Sequence, residues 1–377
     1  MRPPRLRRTG RALAVAACAV LAACSGGPKK PQPAPLPSIA APIAGRQVWS
    51  QRIGDVRFPL VVATTESSVV VAGSDGHVVA LATDDGRELW RGQAGAKLSA
   101  GVGSDGRHAA VVTTGNELVV LDAGKLLWRT RLATRVITAP LVAGERVFVL
   151  GVDRSVHAFD VLDGRRLWAQ QRPGDPLTLL QPGVLMAWKD TLVAGQGSRL
   201  AGFDPLRGAL RWETPVASPR GANEVERLAD LIGPAARSGD MVCARGFQVA
   251  VGCVRADRGT LAWARNLGGA NGIAADGELV FAADGGDRIT AWNLANGEVA
   301  WRSEGLLHRG LSAPLAIDRV VVFGDREGQL HVLDRADGRP LLRLPTDGRP
   351  LAAAPVRAGM TVVAVTQGGR VFAYRPE

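Results

Sequence analysis

The chain reads ALATDDGRELW at residues 80–90, and the pattern returns as AFDVLDGRRLW at 158–168, GFDPLRGALRW at 202–212 and AWNLANGEVAW at 291–301. Shorter or altered copies end at Trp128, Trp263 and Leu342. In all seven copies a glycine stands four residues before the tryptophan, or before leucine in the last copy. The copies end 38 to 51 residues apart, counted from Trp49. Recurrence at this spacing is typical of a repeat architecture.

Each unit also carries two short β-rich runs around a turn, upstream of the glycine. Examples are VVVAGSDGHVVA at 69–80 and VVVFGDREGQLHVL at 320–333, and such runs around Asp-Gly or Glu-Gly predict hairpins. A further run near the start of each repeat, such as SAPLA at 312–316, brings the unit to about four strands. A four-stranded unit of roughly 40 residues is typical of a propeller blade, which buries both faces only by stacking on its neighbours.

The spaced glycine and tryptophan have structural roles in such a blade. The glycine supplies the positive φ of the turn between the last two strands, and the tryptophan on the outer strand packs against the neighbouring blade. We predict this role for Trp49, Trp90, Trp128, Trp168, Trp212, Trp263 and Trp301. Truncating one of them to alanine is expected to cost about 3–5 kcal/mol of unfolding free energy.

The two ends of the repeat region complement each other. Residues 360–375 hold the inner strands of a further unit without a final tryptophan strand, whereas residues 46–52 hold such a strand alone. Pairing the two closes the ring and removes exposed sheet edges. We therefore predict an all-β fold over residues 46–377, an eight-bladed β-propeller of four-stranded antiparallel blades closed by its N-terminal strand.

The first 45 residues predict a targeting signal followed by a tether. Arginine-rich residues 2–11 precede twelve apolar residues, which are too few to span a hydrocarbon core of about 30 Å. The run ends in LAAC at 21–24, which resembles the bacterial lipobox. The resemblance implies a signal peptide over 1–23, lipidation of Cys24 and, because Ser25 is not aspartate, the outer membrane; an uncleaved signal anchor is the alternative. Residues 24–45 are rich in proline and predict a lipidated tether.

Composition argues against several classes of function. The net charge of +11 includes five arginines of the signal region, and the other basic residues interleave with acids, so we predict no nucleic-acid groove. The five histidines and four scattered cysteines show no metal-ligand spacing. The chain has no Walker loop, no nucleophile elbow and no dinucleotide motif opening a helix. We predict no catalytic residue, no metal and no cofactor.

Cys243 and Cys253 form a candidate disulfide. They flank the run ARGFQVAVG, so a hairpin centred on Gln248 would place them opposite each other. In an oxidising periplasm a cross-strand disulfide is the expected outcome, and two buried thiols are the alternative.

The Gly-x-x-x-Trp repeat with this closure resembles the PQQ-type propeller repeat, which quinoprotein dehydrogenases share with the BamB family of outer-membrane lipoproteins. The resemblance to BamB rests further on the lipobox and tether, on LLHR at 306–309 with GDREG at 324–328, and on a charged insertion at 218–230. Quinoprotein dehydrogenases are larger and carry adjacent cysteines and a calcium-binding acidic cluster, whereas no two cysteines are adjacent here. A PQQ-dependent dehydrogenase-like quinoprotein and a generic protein-binding periplasmic propeller remain the alternatives.

The resemblance to the BamB family implies a non-enzymatic scaffold that is lipid-anchored at the outer membrane and faces the periplasm. Such a scaffold docks on the POTRA domains of BamA, works with the rest of the barrel assembly complex, and assists the folding and insertion of outer-membrane β-barrels. Whether it also binds unfolded outer-membrane proteins stays open at this point.

The resemblance also implies which residues dock on BamA. The family's Leu-x-Leu-Arg loop matches Leu177 and Leu179, with Leu180 at the arginine position. Its Arg-Leu-x-Asp-x-Asp loop matches Arg227 and Asp230. We expect these five residues to contact BamA; membership of a strand is the alternative for the three leucines.

Two positions depart from the family pattern in the same direction. Leu180 replaces an arginine, and Ile232 replaces the second aspartate. One hypothesis is that an apolar contact has replaced a charged pair. An interface of that kind depends less on salt.

Overall fold

The computed structural model describes residues 31–40, 42–172, 177–218, 223 and 228–377, and every regular element in these ranges is a β-strand. The predicted signal peptide, Cys24 and Arg227 lie outside the described residues. No helix in the described ranges is long and apolar enough to cross a membrane. The described strands form eight four-stranded sheets, the blades.

The first four blades follow one another along the chain. Blade 1 contains β2 (Ala63–Thr64), β3 (Ser68–Ala72), β4 (His77–Ala82) and β5 (Glu88–Gln93). Blade 2 contains β6 (Gly103–Ser104), β7 (His108–Val112), β8 (Glu117–Asp122) and β9 (Lys125–Arg131). Blade 3 contains β10 (Leu141–Ala143), β11 (Arg146–Leu150), β12 (Val156–Asp160) and β13 (Arg166–Gln170). Blade 4 contains β14 (Leu185–Trp188), β15 (Thr191–Gln196), β16 (Arg199–Phe203) and β17 (Leu210–Pro215).

The remaining blades continue this order until the last one. Blade 5 contains β18 (Leu231–Ser238), β19 (Met241–Gly246), β20 (Ala250–Arg255) and β21 (Thr260–Asn266). Blade 6 contains β22 (Ala274–Ala275), β23 (Leu279–Ala283), β24 (Ile289–Asn293) and β25 (Val299–Ser303). Blade 7 contains β26 (Leu315–Ile317), β27 (Val320–Gly324), β28 (Gln329–Asp334) and β29 (Pro340–Pro345). Blade 8 contains β30 (Val356–Ala358), β31 (Thr361–Val365), β32 (Arg370–Pro376) and β1 (Gly45–Arg52).

Blade 8 closes the ring with strands from both ends of the chain. Its sheet order is β1-β32-β31-β30, so the N-terminal strand is the outermost one, and Trp49 lies opposite Ala373. The innermost strands of successive blades contact one another around the whole circle, including β30 of blade 8 with β2 of blade 1. The predicted all-β, eight-bladed propeller with this closure is therefore confirmed.

The apolar core lies between the blades. For example, Val363 and Val365 of blade 8 pack in one buried cluster with Val69 and Val71 of blade 1. The two middle strands of a blade are buried on both faces, and for this reason runs such as SVVVA in β3 are apolar without alternation. Each sheet needs a neighbour on either side to bury this surface, and the ring supplies one.

Each repeat tryptophan packs on the motif glycine of the next blade. A Cβ atom at Gly208 of blade 4 would lie 2.6 Å from the Trp168 ring of blade 3, so only glycine leaves room for the indole. Gly208 also has a φ of +71°, which an L side chain rarely adopts. The other tryptophan–glycine pairs are Trp49–Gly86, Trp90–Gly124, Trp128–Gly164, Trp212–Gly259, Trp263–Gly297 and Trp301–Gly338.

The indole N–H groups add hydrogen bonds between the blades. The Trp168 N–H donates to the carbonyl oxygen of Pro205 at 3.0 Å, in the turn that carries Gly208. The indoles of Trp49, Trp128, Trp263 and Trp301 make equivalent bonds into the next blade. In the last interface Leu342 lies where a Cβ at Gly45 would meet it at 3.0 Å, so leucine takes the tryptophan's place.

A buried arginine joins blades 5 and 6. The Arg245 guanidinium donates to the carbonyl oxygens of Gly268 at 2.9 Å and Ala283 at 2.7 Å. Burial lowers the pKa of Arg245 to about 10, so the side chain stays charged at neutral pH. Backbone carbonyls, rather than a carboxylate, thus solvate the charge.

Cys243 and Cys253 face each other across β19 and β20, and their Sγ atoms are bonded at 1.93 Å. Gln248 lies in the turn between the two strands, at a φ of +55°. Both cysteines are fully buried in blade 5, where they pack with Trp263.

Part of the predicted tether lies against the propeller. The Ala34 N–H donates to the Leu307 carbonyl oxygen at 2.8 Å, and the Arg309 guanidinium donates to the Ala34 carbonyl oxygen at 3.1 Å. The Arg343 guanidinium reaches the carbonyl oxygen of Pro37 at 3.3 Å. The assignment of residues 24–45 as a lipidated tether stays a prediction.

Replacing Gly208 with alanine tests the contact between tryptophan and glycine. Gly208→Ala puts a methyl group into the Trp168 ring in addition to straining the turn, so we expect a loss of about 2–5 kcal/mol of unfolding free energy. Gly144→Ala is the matched control, because Gly144 also has a positive φ (+56°) but a Cβ added there would meet no atom within 4 Å. Strain alone should cost about 1–2 kcal/mol at that position. Urea unfolding measures both variants, and equal losses would contradict the packing role.

The intact mass of the purified protein tests the disulfide. We expect treatment with a reductant to add about two mass units, one hydrogen for each of Cys243 and Cys253. The free energy of unfolding should fall by about 2–3 kcal/mol on reduction, because the bond closes a short loop of the unfolded chain. Urea unfolding with and without reductant measures the loss. Two free thiols in the protein purified without reductant would contradict the pairing.

Candidate partner-docking surface

The propeller has two faces, which carry different loops. One face, here the connection face, carries the segments that lead from the outer strand of one blade to the inner strand of the next, such as the described residues 177–184 and 228–230. It also carries the turns between the two middle strands, such as 151–155. The opposite face carries the turns that contain the motif glycines. All the described residues of the predicted docking set lie on the connection face.

The leucine loop, residues 177–182, leads into blade 4 and presents apolar side chains to solvent. Leu180 is 64% exposed and Leu177 is 37% exposed. Leu179 is half-buried and, with Leu150 and Ile137, lines a small cavity of about 50 Å³. None of the three leucines lies in a strand. The loop therefore offers Leu180 and Leu177 outward while Leu179 points into the protein.

Asp230 holds this loop in place from inside the molecule. One carboxylate oxygen accepts the Leu179 N–H at 2.9 Å, and the other accepts a guanidinium N–H of Arg154 at 3.1 Å. The Asp230 and Arg154 side chains are only 17% and 16% exposed. Each carboxylate oxygen of Asp230 thus has a partner within the chain. Asp230 is best described as a residue that positions the leucine loop.

A second ion pair fixes the other end of the same connection. The Arg172 guanidinium donates to the Glu213 carboxylate at 2.8 Å, linking the end of blade 3 to the outer strand of blade 4. Residues 173–176 follow Arg172 and lie outside the described ranges, as does Arg227. The contact expected of Arg227 therefore stays a prediction.

Ile232 does not reach the surface. It lies in β18, opposite Arg245, and is only 2% exposed. Of the two positions that depart from the family pattern, only Leu180 can therefore add an apolar contact at the docking surface. Ile232 belongs to the core because its strand begins at Leu231, one residue after the Asp230 carboxylate turns toward the leucine loop.

The two family-like segments LLHR and GDREG meet in a buried ion cluster that sequence reasoning did not assign. The Arg309 guanidinium donates to Asp325 at 2.8 Å and also contacts Glu327, and His331 bonds the same Asp325 carboxylate at 2.9 Å. Burial alone would raise the pKa of Asp325, but the His331 and Arg309 hydrogen bonds and the backbone N–H of Gln329 lower it below its usual value. The cluster joins the segment that leads into blade 7, which carries Arg309, to the turn between β27 and β28, which carries Asp325.

The axial channel is the candidate site for a quinone. It has a volume of about 900 Å³ and is lined mainly by small and apolar residues such as Pro140, Ala313 and Ala353. Among the described lining residues only Asp325 and Arg326 are charged. No group of three metal-ligating side chains occurs in the described ranges. Pyrroloquinoline quinone carries three carboxylates, which need several cationic partners. This lining offers Arg326 as its one described cation, so it does not fit the quinone.

The geometry first defines the class of protein, an eight-bladed propeller built on the PQQ-like repeat. A sequence profile described as "Outer membrane protein assembly factor BamB" matches residues 42–97, 74–303 and 305–377. A protein of that name from Burkholderia pseudomallei (strain K96243) is 35% identical over 366 residues, 96% of each chain. The chain belongs to the BamB family.

Solved structures show the same fold. The crystal structure of BamB from Moraxella catarrhalis superposes with a TM-score of 0.79 at 22% identity, covering 88% of this chain and all of that one. A quinohemoprotein alcohol dehydrogenase from Pseudomonas putida HK5 superposes with a TM-score of 0.66 at 14% identity, covering 88% of this chain and 76% of that one. At these identities both comparisons speak for the fold alone.

Removing the Asp230 carboxylate tests whether it positions the loop. Asp230→Ala takes away the acceptor of the Leu179 N–H, so we expect amide hydrogen exchange in residues 177–182 to become at least about tenfold faster while the rest of the ring keeps its protection. Asp190→Ala is the control, because Asp190 is an exposed acid whose ion pair, with Arg211, lies away from the loop. Unchanged exchange in the loop would show that Asp230 does not hold it.

Proposed function

We propose that the protein is a non-enzymatic scaffold of the outer-membrane β-barrel assembly complex. Membership of the BamB family and the name of the Burkholderia relative, an outer membrane protein assembly factor, support the assembly role. The axial channel, in which Asp325 and Arg326 are the only charged residues among the described lining, supports a role in contact over a role in redox chemistry. In this proposal lipidation at Cys24 anchors the protein to the outer membrane, and the propeller faces the periplasm.

The leucine loop is proposed as the surface that docks on a POTRA domain of BamA. The observation that carries this is Leu180, an apolar side chain that is 64% exposed on a loop whose backbone is fixed by Asp230. A fixed loop loses little conformational entropy on binding, so more of the contact energy appears as affinity. A large exposed apolar side chain at the centre of a contact is the kind of residue that dominates binding energy.

The proposed mechanism is rigid positioning. Sheets that bury both faces against their neighbours give the ring little freedom to bend, so loops on the connection face keep fixed relative places. The Arg172–Glu213 ion pair holds the start of the connection into blade 4, and Asp230, paired with Arg154, holds the leucine loop through the Leu179 N–H. Docking through this connection would orient the whole propeller on BamA. The chain would then assist barrel folding by placement and without a reaction of its own.

Changing Leu180 to aspartate tests the docking surface. Leu180→Asp places a charge where we expect apolar contact, so the affinity for purified BamA POTRA domains should fall by at least about 30-fold, the loss expected at a hot spot. Leu162→Asp is the matched control, because Leu162 is 65% exposed and lies in the β12–β13 turn, on the opposite face. Binding can be measured by biolayer interferometry. Equal losses in both variants, or none in either, would remove the leucine loop from the interface.

The same assay tests the apolar character of the contact. With Leu180 at the arginine position, we expect the wild-type affinity to change less than about threefold between about 0.05 and 0.5 M NaCl, since screening acts on charges. A steep fall of this affinity with salt would contradict the hypothesis that an apolar contact has replaced a charged pair. Whether the leucine loop is the interface would still be decided by the Leu180→Asp result.

A further inference from the structure

Two arginines repel each other where the ring closes. Arg52 at the end of β1 and Arg370 at the start of β32 lie directly opposite in the antiparallel register. Both side chains are exposed, and neither forms an ion pair with any described residue. Like charges directly opposite on neighbouring strands destabilise a sheet. The closing seam of the fold thus carries an unfavourable pair that nothing in the described chain neutralises.

Two further arginines extend this pair into a groove. Arg57 and Arg349 line the same depression as Arg52 and Arg370, and it measures about 560 Å³. Its two acids are already engaged: Asp55 pairs with Arg57 at 3.3 Å. Asp347 accepts the Thr366 hydroxyl at 3.0 Å and the backbone N–H of Arg349 at 3.2 Å. In the described ranges this leaves the guanidinium groups of Arg52, Arg349 and Arg370 without a carboxylate.

The backbone that carries these arginines is fixed. The Ile53 N–H donates to the Gly369 carbonyl oxygen at 2.8 Å, and the Gln367 N–H donates to the Pro350 carbonyl oxygen at 2.8 Å. Gly369 has a φ of +73°, and a Cβ there would lie 1.8 Å from the Gly54 carbonyl oxygen. The close approach of Gly369 to Gly54, which only glycine allows, joins two segments of the groove, and the Gln367–Pro350 hydrogen bond ties the third segment to them. Because this backbone is already ordered, binding an anion would have to order only the arginine side chains.

We propose that this arginine groove binds a phosphate group. Guanidinium groups match the geometry of phosphate oxygens and remain charged at all physiological pH values. An anionic lipid headgroup is the source favoured here, because the proposed function places the protein at a membrane surface; free phosphate is the other source. The groove lies on the connection face, where Ala34 also contacts Leu307 and Arg309. The bound phosphate would neutralise the Arg52–Arg370 repulsion.

Thermal unfolding of the full lipidated protein in a neutral detergent tests the groove. The probes are dihexanoyl phosphatidylglycerol, dihexanoyl phosphatidylcholine and inorganic phosphate. A ligand that binds only the folded state raises the midpoint in proportion to the logarithm of its concentration above Kd. We expect phosphatidylglycerol to raise the midpoint by about 2–4 °C at about ten times its Kd, and phosphatidylcholine, which carries no net charge, to leave it unchanged.

The double variant Arg52→Gln/Arg370→Gln separates the site from general charge. It should lose the rise with phosphatidylglycerol and, without ligand, melt about 1 °C higher than the wild type because the repulsion is gone. The control Arg87→Gln/Arg131→Gln removes the same charge from two exposed arginines outside the groove and should keep the rise.

Three results would overturn the proposal. These are a rise that persists in Arg52→Gln/Arg370→Gln, a rise lost in the control, and an equal rise with phosphatidylcholine. A rise with inorganic phosphate and none with phosphatidylglycerol would overturn the lipid headgroup as the source. Binding of BamA domains by the double variant is measured in parallel, so failure of the groove and failure of the proposed function are read separately.

Discussion

The structure depends on the contact between each tryptophan ring and the motif glycine of the next blade. Every blade is a separate four-stranded sheet, so side-chain packing between sheets carries the cohesion of the ring. Gly208 shows the constraint: its φ of +71° shapes the turn, and its missing Cβ makes room for Trp168. One residue thus satisfies a backbone requirement and a packing requirement at once. Repeating that pair around the circle ties each unit to its successor.

A ring closed in this way fixes the loops on its connection face. Asp230, from the connection into blade 5, reaches back to the Leu179 N–H in the connection into blade 4, so neighbouring blades jointly shape one surface. Leu180 stays exposed because the backbone on either side of it is held. The arginine groove at the seam is built by the same means, with backbone hydrogen bonds holding the charged side chains. Contact surfaces arise here from rigid placement of a few residues.

The repeat made the fold predictable, because Gly-x-x-x-Trp spacing reflects a contact that recurs in seven of the eight interfaces between the described blades. The closure of the ring was also predictable, because one end of the chain has a strand without a partner and the other end has a blade that lacks a strand. The arrangement of the candidate site was harder to predict from the sequence. Asp230 turns inward because it forms an ion pair with Arg154, which is 76 residues away in the sequence. No local sequence pattern predicts that pair. Ile232 is buried by the start of β18, and the Arg309–Asp325 cluster depends on how blade 7 is entered.

The central claim is that the protein acts by placing the leucine loop against BamA. Photocrosslinking in living cells tests it most directly, with a benzophenone amino acid introduced at position 180 or at position 206. Leu206 is also exposed but lies in a motif turn on the opposite face. The account predicts a crosslink to BamA from position 180 and none from position 206. A crosslink from position 206 alone, or equal crosslinks from both positions, would contradict it.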